Sequence, residues 1–178
     1  DPLLTLGAPK SVTAFAGMDA LTQLIEAYLS RKAQPMTDAL AVAAMGPAAK
    51  ALPRAYEDGG DIEARTHMAY ASLMSGICLA NAGLGAVHGI AAAFGAVANV
   101  PHGMACAVLL PPVMAWNAPH VGGKLRTVCA ALTGRDYADP KDCARATTDA
   151  VYALAAQLGI PRNFRHLGLD ESSLDELV

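Results

Sequence analysis

Two histidines, His88 and His102, stand in the middle of a long stretch, Arg65 to Lys124, that has no Asp, Glu, Lys or Arg between its ends. An imidazole inside an apolar core is costly unless its nitrogens find partners. Each of the two adjoins a glycine, in Val87-His88-Gly89 and Pro101-His102-Gly103, and a missing Cβ lets a backbone, a metal or a ligand come close. A lone core histidine is ordinarily a satisfied structural residue. Two in one uncharged stretch invite a divalent cation, which also calls for an anionic donor. Asp19, in Gly17-Met18-Asp19-Ala20, is the candidate, with N-terminal capping of a helix as its competing role. Gln23 lies four residues on and shares a helix face with it. Glu26, Asp38 and Glu63 are further carboxylates, and spacing does not choose among them. His67, His120 and His166 have charged or turn-like neighbours and read as surface residues.

The elements that must position these groups read as helices throughout. Ala makes up about a fifth of the 178 residues and β-branched residues are scattered. No segment alternates with the period of two that a half-buried strand needs. A first helix is expected from Met18 to Arg31, with Leu21, Leu24, Ile25, Tyr28 and Leu29 as its apolar stripe. A second, capped by Thr37 or Asp38, should run to Tyr56 with a kink or break at Gly46-Pro47. Asp61 should cap a third, ending near Asn81. A short helix of small residues follows from Ala86 to Ala98, and another starts at His102 and is kinked or ended by Pro111-Pro112. Later helices are expected over Val121–Thr133, Lys141–Leu158 and Ser172–Val178, with Gly159-Ile160-Pro161 as a stop.

Composition excludes several classes. Hydrophobic residues are 53% and charged residues 16% of the chain, which is incompatible with a disordered segment. A net charge of -3 supplies no basic surface for nucleic acid. The uncharged stretch is interrupted by Gly83, Gly85, Pro101, Pro111 and Pro112 and lacks basic flanks, so it reads as helices buried on all sides of a helical domain rather than a membrane span. Gly83-Leu84-Gly85 with Gly89 is a near miss to a dinucleotide fingerprint; no strand precedes it, and Gly85-x-x-x-Gly89 reads as a close-packing motif. Cys78, Cys106, Cys129 and Cys143 are widely spaced and read as free core thiols in a reducing compartment, the cytoplasm.

Three runs go further: GMDALTQLIEAYLSRKAQPMTDALA, NAGLGAVHGIAAAFGAVANVPHG and LLPPVMAWNA. In order and spacing they resemble the C-terminal helical domain of the iron-containing (group III) alcohol dehydrogenase family, over essentially the whole chain. The resemblance implies an all-α domain over residues 1–178 that holds one divalent metal. Asp19, His88 and His102 match three of the family's ligands. Gln23 stands where a fourth, a histidine, is expected, and offers at best a weak neutral oxygen or an orienting hydrogen bond. Three protein ligands and an open position suit zinc, so the metal is expected to be zinc or iron, with zinc favoured. Ala92 replaces a histidine that often lines the substrate cavity.

The resemblance further implies an NAD(P)-dependent dehydrogenase acting on a small alcohol or aldehyde. The nicotinamide would be bound by an N-terminal α/β domain that these residues do not include. The chain starts at Asp1-Pro2 without an initiator Met and thus looks like a piece of a longer protein, inactive alone and prone to associate as a homo-oligomer through the apolar face where that domain would dock. A maleylacetate-reductase-like or glycerol-dehydrogenase-like activity is an alternative within the superfamily. A non-catalytic helical module with a decayed metal site is another, favoured by Gln23 and Ala92.

Overall fold

The computed structural model describes residues 1–165, and among these it contains helices and no strand. A 3₁₀ turn at Pro2–Thr5 leads into α1 (Lys10–Leu29), α2 (Pro35–Glu57), α3 (Ile62–Ala82), α4 (Ala86–Ala98) and α5 (His102–Asn117). A second 3₁₀ turn at Ala118–His120 precedes α6 (Lys124–Thr133) and α7 (Pro140–Gln157). The helix expected over Ser172–Val178, and His166, lie outside the described residues.

α1 is the central element, packed against α2, α3 and α5. Met18, Leu21, Leu24 and Ile25 are completely buried on it, each contributing about 1.5–3 kcal/mol by leaving water. On α2, Ala41, Ala44, Met45, Ala48 and Leu52 form a buried stripe of helical period, and Leu52 lies against Gly17 of α1. Both ends of the α1 exit are tied down. Ser30 Oγ donates to the Ala82 carbonyl at 2.6 Å, and Lys124 Nζ donates to the Tyr28 carbonyl at 2.7 Å and to Asp38.

Three expectations are corrected. α1 begins at Lys10, not Met18, so Asp19 lies in the middle of the helix and caps nothing. A Cβ on Gly17 would overlap Leu52, so the glycine serves the α1–α2 crossing. The break allowed for at Gly46-Pro47 and the end allowed for at Pro111-Pro112 do not occur: α2 continues through Gly46-Pro47 and Pro53, and α5 through Pro111-Pro112. Each interior proline removes one backbone bond, a cost of about 3 kcal/mol that burial of the flanking residues offsets. Finally, α3 and α4 are not buried on all sides. Leu73, Leu79 and Ile90 are exposed, because only one face of each meets the rest of the bundle.

Among the described residues no single helix is long and apolar enough to cross a membrane. α3 followed by the start of α4 has the length and composition, but the two bend by 102° at the intervening break.

Candidate metal centre

The site is built where three helices converge. Asp19, Gln23 and Glu26 occupy positions i, i+4 and i+7 of α1 and therefore one face. His88 sits in the first turn of α4 and His102 opens α5, which runs past α1 at very close range. That approach has an identifiable cause. A Cβ on Gly103 would overlap the Phe15 carbonyl, one turn before Asp19, so only glycine lets the two backbones meet there.

Glu26 aims α4. Its carboxylate accepts from the Val87 backbone N–H at 2.8 Å, from the His88 backbone N–H at 3.2 Å and from His88 Nδ1 at 2.7 Å. The orphan donors at the α4 N-terminus, which a phosphate loop would offer to a nucleotide, are thus taken by a buried side chain of α1. Gly85 is close-packed, but against this carboxylate rather than a helix, and Gly89 faces open space.

With Nδ1 committed to Glu26, His88 turns Nε2 to Asp19 Oδ1 at 3.1 Å. His102 Nε2 lies 3.5 Å from the same oxygen. The two rings are 5.4 Å apart, centroid to centroid. Cys106, one turn after His102, places Sγ 3.5 Å from His102 Nε2 and 3.8 Å from His88 Nε2. One donor atom from each of Asp19, His88, His102 and Cys106 lies within 4.8 Å of all the others.

Burial opposes the charge on Asp19, but the hydrogen bond from His88 and the charges of His88 and His102 outweigh it and hold the carboxyl below its usual range. Burial likewise disfavours a charged His88. Its hydrogen bonds to Asp19, Cys106 and Glu26 prevail and push its pKa up to about 11. Burial pushes the Cys106 thiol up. In the metal-free protein the pocket is therefore an imidazolium clamped between two carboxylates. A divalent cation replacing the Nε2 proton would satisfy the same carboxylate, and the donor set of one carboxylate, two imidazoles and a thiol suits such an ion.

The structure brings together Asp19, His88 and His102 among the residues singled out from sequence. Gln23 is adjacent: its Nε2 donates to Asp19 Oδ2 at 2.8 Å. A carboxylate only accepts, so Gln23 must present its NH₂ group there. Asp38 pairs with Lys124 and Glu63 with Arg54, both as ion pairs elsewhere in the fold. His67 and His120 are exposed, as expected. Cys106 was read only as core filler. Its i+4 spacing from His102 was the available signal for its place beside the two histidines, and the apolar sequence around it hid that signal. The Cys78, Cys129 and Cys143 thiols are free and buried. A cavity of about 850 Å³ lies beyond Glu26, between α1, α4 and α5, and none of the four clustered residues lines it.

Residues 13–178 match the family model described as the C-terminal region of the Fe-containing alcohol dehydrogenase family. The 1,3-propanediol dehydrogenase of Citrobacter freundii is 42% identical over 173 residues, covering 97% of this chain and 45% of that protein. Alcohol dehydrogenase 4 of Saccharomyces cerevisiae is 39% identical over 179 residues, covering all of this chain and 46% of that one. The crystal structure of a 1,3-propanediol oxidoreductase superposes with a TM-score of 0.94 at 39% identity, over 99% of this chain and 47% of its own. The chain thus spans about half the length of the relatives it matches. It belongs to the Fe-containing alcohol dehydrogenase family, of which it represents the C-terminal helical region.

Proposed function

We propose that this chain is the metal-holding part of an NAD(P)-dependent alcohol dehydrogenase acting on small alcohols or aldehydes. The observation that carries the reading is the convergence of Asp19, His88 and His102 from α1, α4 and α5 on one point. Relatives named for alcohol and propanediol dehydrogenation support the reaction class. A divalent ion bound there, zinc or iron, would supply Lewis acidity toward an alcohol or carbonyl oxygen.

The residues divide the remaining work. Asp19 supplies the anionic donor and stays ionised because His88 and His102 face it. Glu26 fixes the His88 ring and leaves Nε2 as its only nitrogen free for a metal. Gln23 holds the second oxygen of Asp19 and so orients the carboxylate. His102, with nearly half of its side chain exposed, marks the side from which a substrate would enter. Ala92, exposed one turn after His88, brings no proton-transfer group to that side. The nicotinamide would be held by residues beyond these 178, which carry no built nucleotide loop among those described.

The test is NAD(P)-linked oxidation of short primary alcohols and 1,3-diols. In a protein of the relatives' length that carries this chain, turnover is expected to be abolished by chelation and by His88→Ala. The 178-residue chain alone is expected to bind metal without turning over the nucleotide. Undiminished turnover after chelation, or turnover by the chain alone, would contradict the proposal. Absence of stoichiometric metal from the longer protein would favour a non-catalytic helical module instead.

A further inference from the structure

We propose that Cys106 is a fourth metal ligand, so that the centre is an Asp-His-His-Cys site with Gln23 outside the coordination sphere. This rests on the metal-site reading above and deepens it; with four protein donors, a substrate oxygen would join as a fifth ligand. The argument is geometric. Tetrahedral zinc with metal–nitrogen or metal–oxygen bonds of about 2.0–2.1 Å and a metal–sulfur bond of about 2.3 Å separates nitrogen from sulfur by about 3.6 Å and oxygen from nitrogen by about 3.3 Å. Sγ of Cys106 stands 3.5 Å and 3.8 Å from the two imidazole nitrogens. Asp19 Oδ1 stands 3.1 Å and 3.5 Å from the same two atoms. Four edges of the donor polyhedron therefore already match a tetrahedral ion, and all four donors fit within 4.8 Å.

Gln23 is arranged otherwise. It faces Asp19 with an amide NH₂, a group that cannot coordinate, so its contribution passes through the carboxylate. Cys106 is fully buried on α5 and projects from the same side as His102, one helical turn away, as two ligands from one helix must. A coordinating thiol binds as the thiolate, its proton passing to solvent or buffer as the ion enters. A soft sulfur donor moves the preference of the site toward zinc and away from a site of oxygen and nitrogen donors alone.

Cobalt(II) is the probe, because tetrahedral cobalt absorbs in the visible and a thiolate–cobalt bond adds an intense near-ultraviolet charge-transfer band. Titration of the full chain with CoCl₂ under anaerobic conditions is expected to give both features at one ion per chain. Cys106→Ser should keep the visible bands and lose the charge-transfer band, while weakening zinc binding more than tenfold. Gln23→Ala should keep both features while weakening cobalt binding, because Asp19 loses the hydrogen bond that orients it. Visible bands without the near-ultraviolet band in the unaltered chain would overturn the Cys106 assignment and leave the three-ligand metal site standing. No cobalt bands at all would overturn the metal site together with this inference. Circular dichroism of each variant establishes that its helices are intact.

Discussion

Glu26 grips His88 at two points, accepting from its ring Nδ1 at 2.7 Å and from its backbone N–H at 3.2 Å. One buried carboxylate on α1 thereby sets both where α4 begins and how its histidine is turned. Glu26→Gln preserves the shape but replaces an obligate acceptor by a group that is half donor. Metal affinity should fall by about 10–100-fold, the usual loss when a ligand's orienting carboxylate is removed. Glu26→Ala should in addition lower the melting temperature with chelator present, because the Val87 and His88 N–H groups each lose an acceptor at about 1–3 kcal/mol. Zinc titration and thermal denaturation check both. Unchanged affinity in Glu26→Gln would show that His88 needs no such partner.

The α1–α5 crossing depends on Gly103. Gly103→Ala forces a methyl against the Phe15 carbonyl, which is backbone and cannot rotate away. A destabilisation of at least about 1–3 kcal/mol is expected, with weaker metal binding as His102 moves off Asp19. Gly89→Ala is the control on α4. Nothing lies within 4 Å of the position its Cβ would take, so stability should hold or rise by up to about 1 kcal/mol from improved helix propensity. Denaturant melts of the two variants separate a packing requirement from a general intolerance of change near the histidines.

Protonation of His88 sets the pH dependence of the metal-free centre. Its pKa is raised from 6.5 to about 11, so its stabilising contribution is full below about pH 6.5 and fades as pH rises toward 11. Metal binding has the opposite sign, since the ion must displace that proton and is favoured as pH rises. Zinc binding at pH 8 should therefore release about two protons per ion, one from His88 and one from the Cys106 thiol, and about one in Cys106→Ser. Calorimetric titrations in two buffers of different ionisation enthalpy measure that number. A value of zero in Cys106→Ser would mean that His88 is already neutral in the free protein.

Acid should act on the helix caps as well. Asp139 accepts from the backbone N–H groups of Asp142 and Lys141 at the start of α7, and those bonds hold its carboxyl below its ordinary 3.8. Such a group stabilises fully above about pH 3.8, and the contribution is lost as pH falls through the lowered folded value. Asp139→Ala should melt lower than the unaltered chain at pH 7, and the gap should narrow below about pH 3.8. A gap independent of pH would assign the loss to something other than the charged cap.

Much of the scaffold is legible in the residue order. The α4 boundaries at Ala86 and Ala98, the α5 start at His102 and the Asp61 cap of α3 follow from small-residue runs, Pro101 and a capping carboxylate, all local signals. The start of α1 at Lys10 was not legible, because what seats its first turns, such as the contact of Gly17 with Leu52, is tertiary. The unbroken course of α5 through two prolines has the same origin, since burial outweighs a local penalty. At the site, Asp19, His88 and His102 carry a signal in their chemistry. Glu26 was one of three interchangeable further carboxylates until packing placed it beneath His88, and Cys106 looked like any other buried thiol until α5 was laid against α1.

Anomalous diffraction from crystals of the chain grown with zinc tests the central claim most directly. A single strong peak is expected within about 2.0–2.2 Å of one Asp19 oxygen and of Nε2 of both His88 and His102. A zinc-free pocket in the presence of excess metal, or a peak bound elsewhere with these three side chains still paired among themselves, would contradict it.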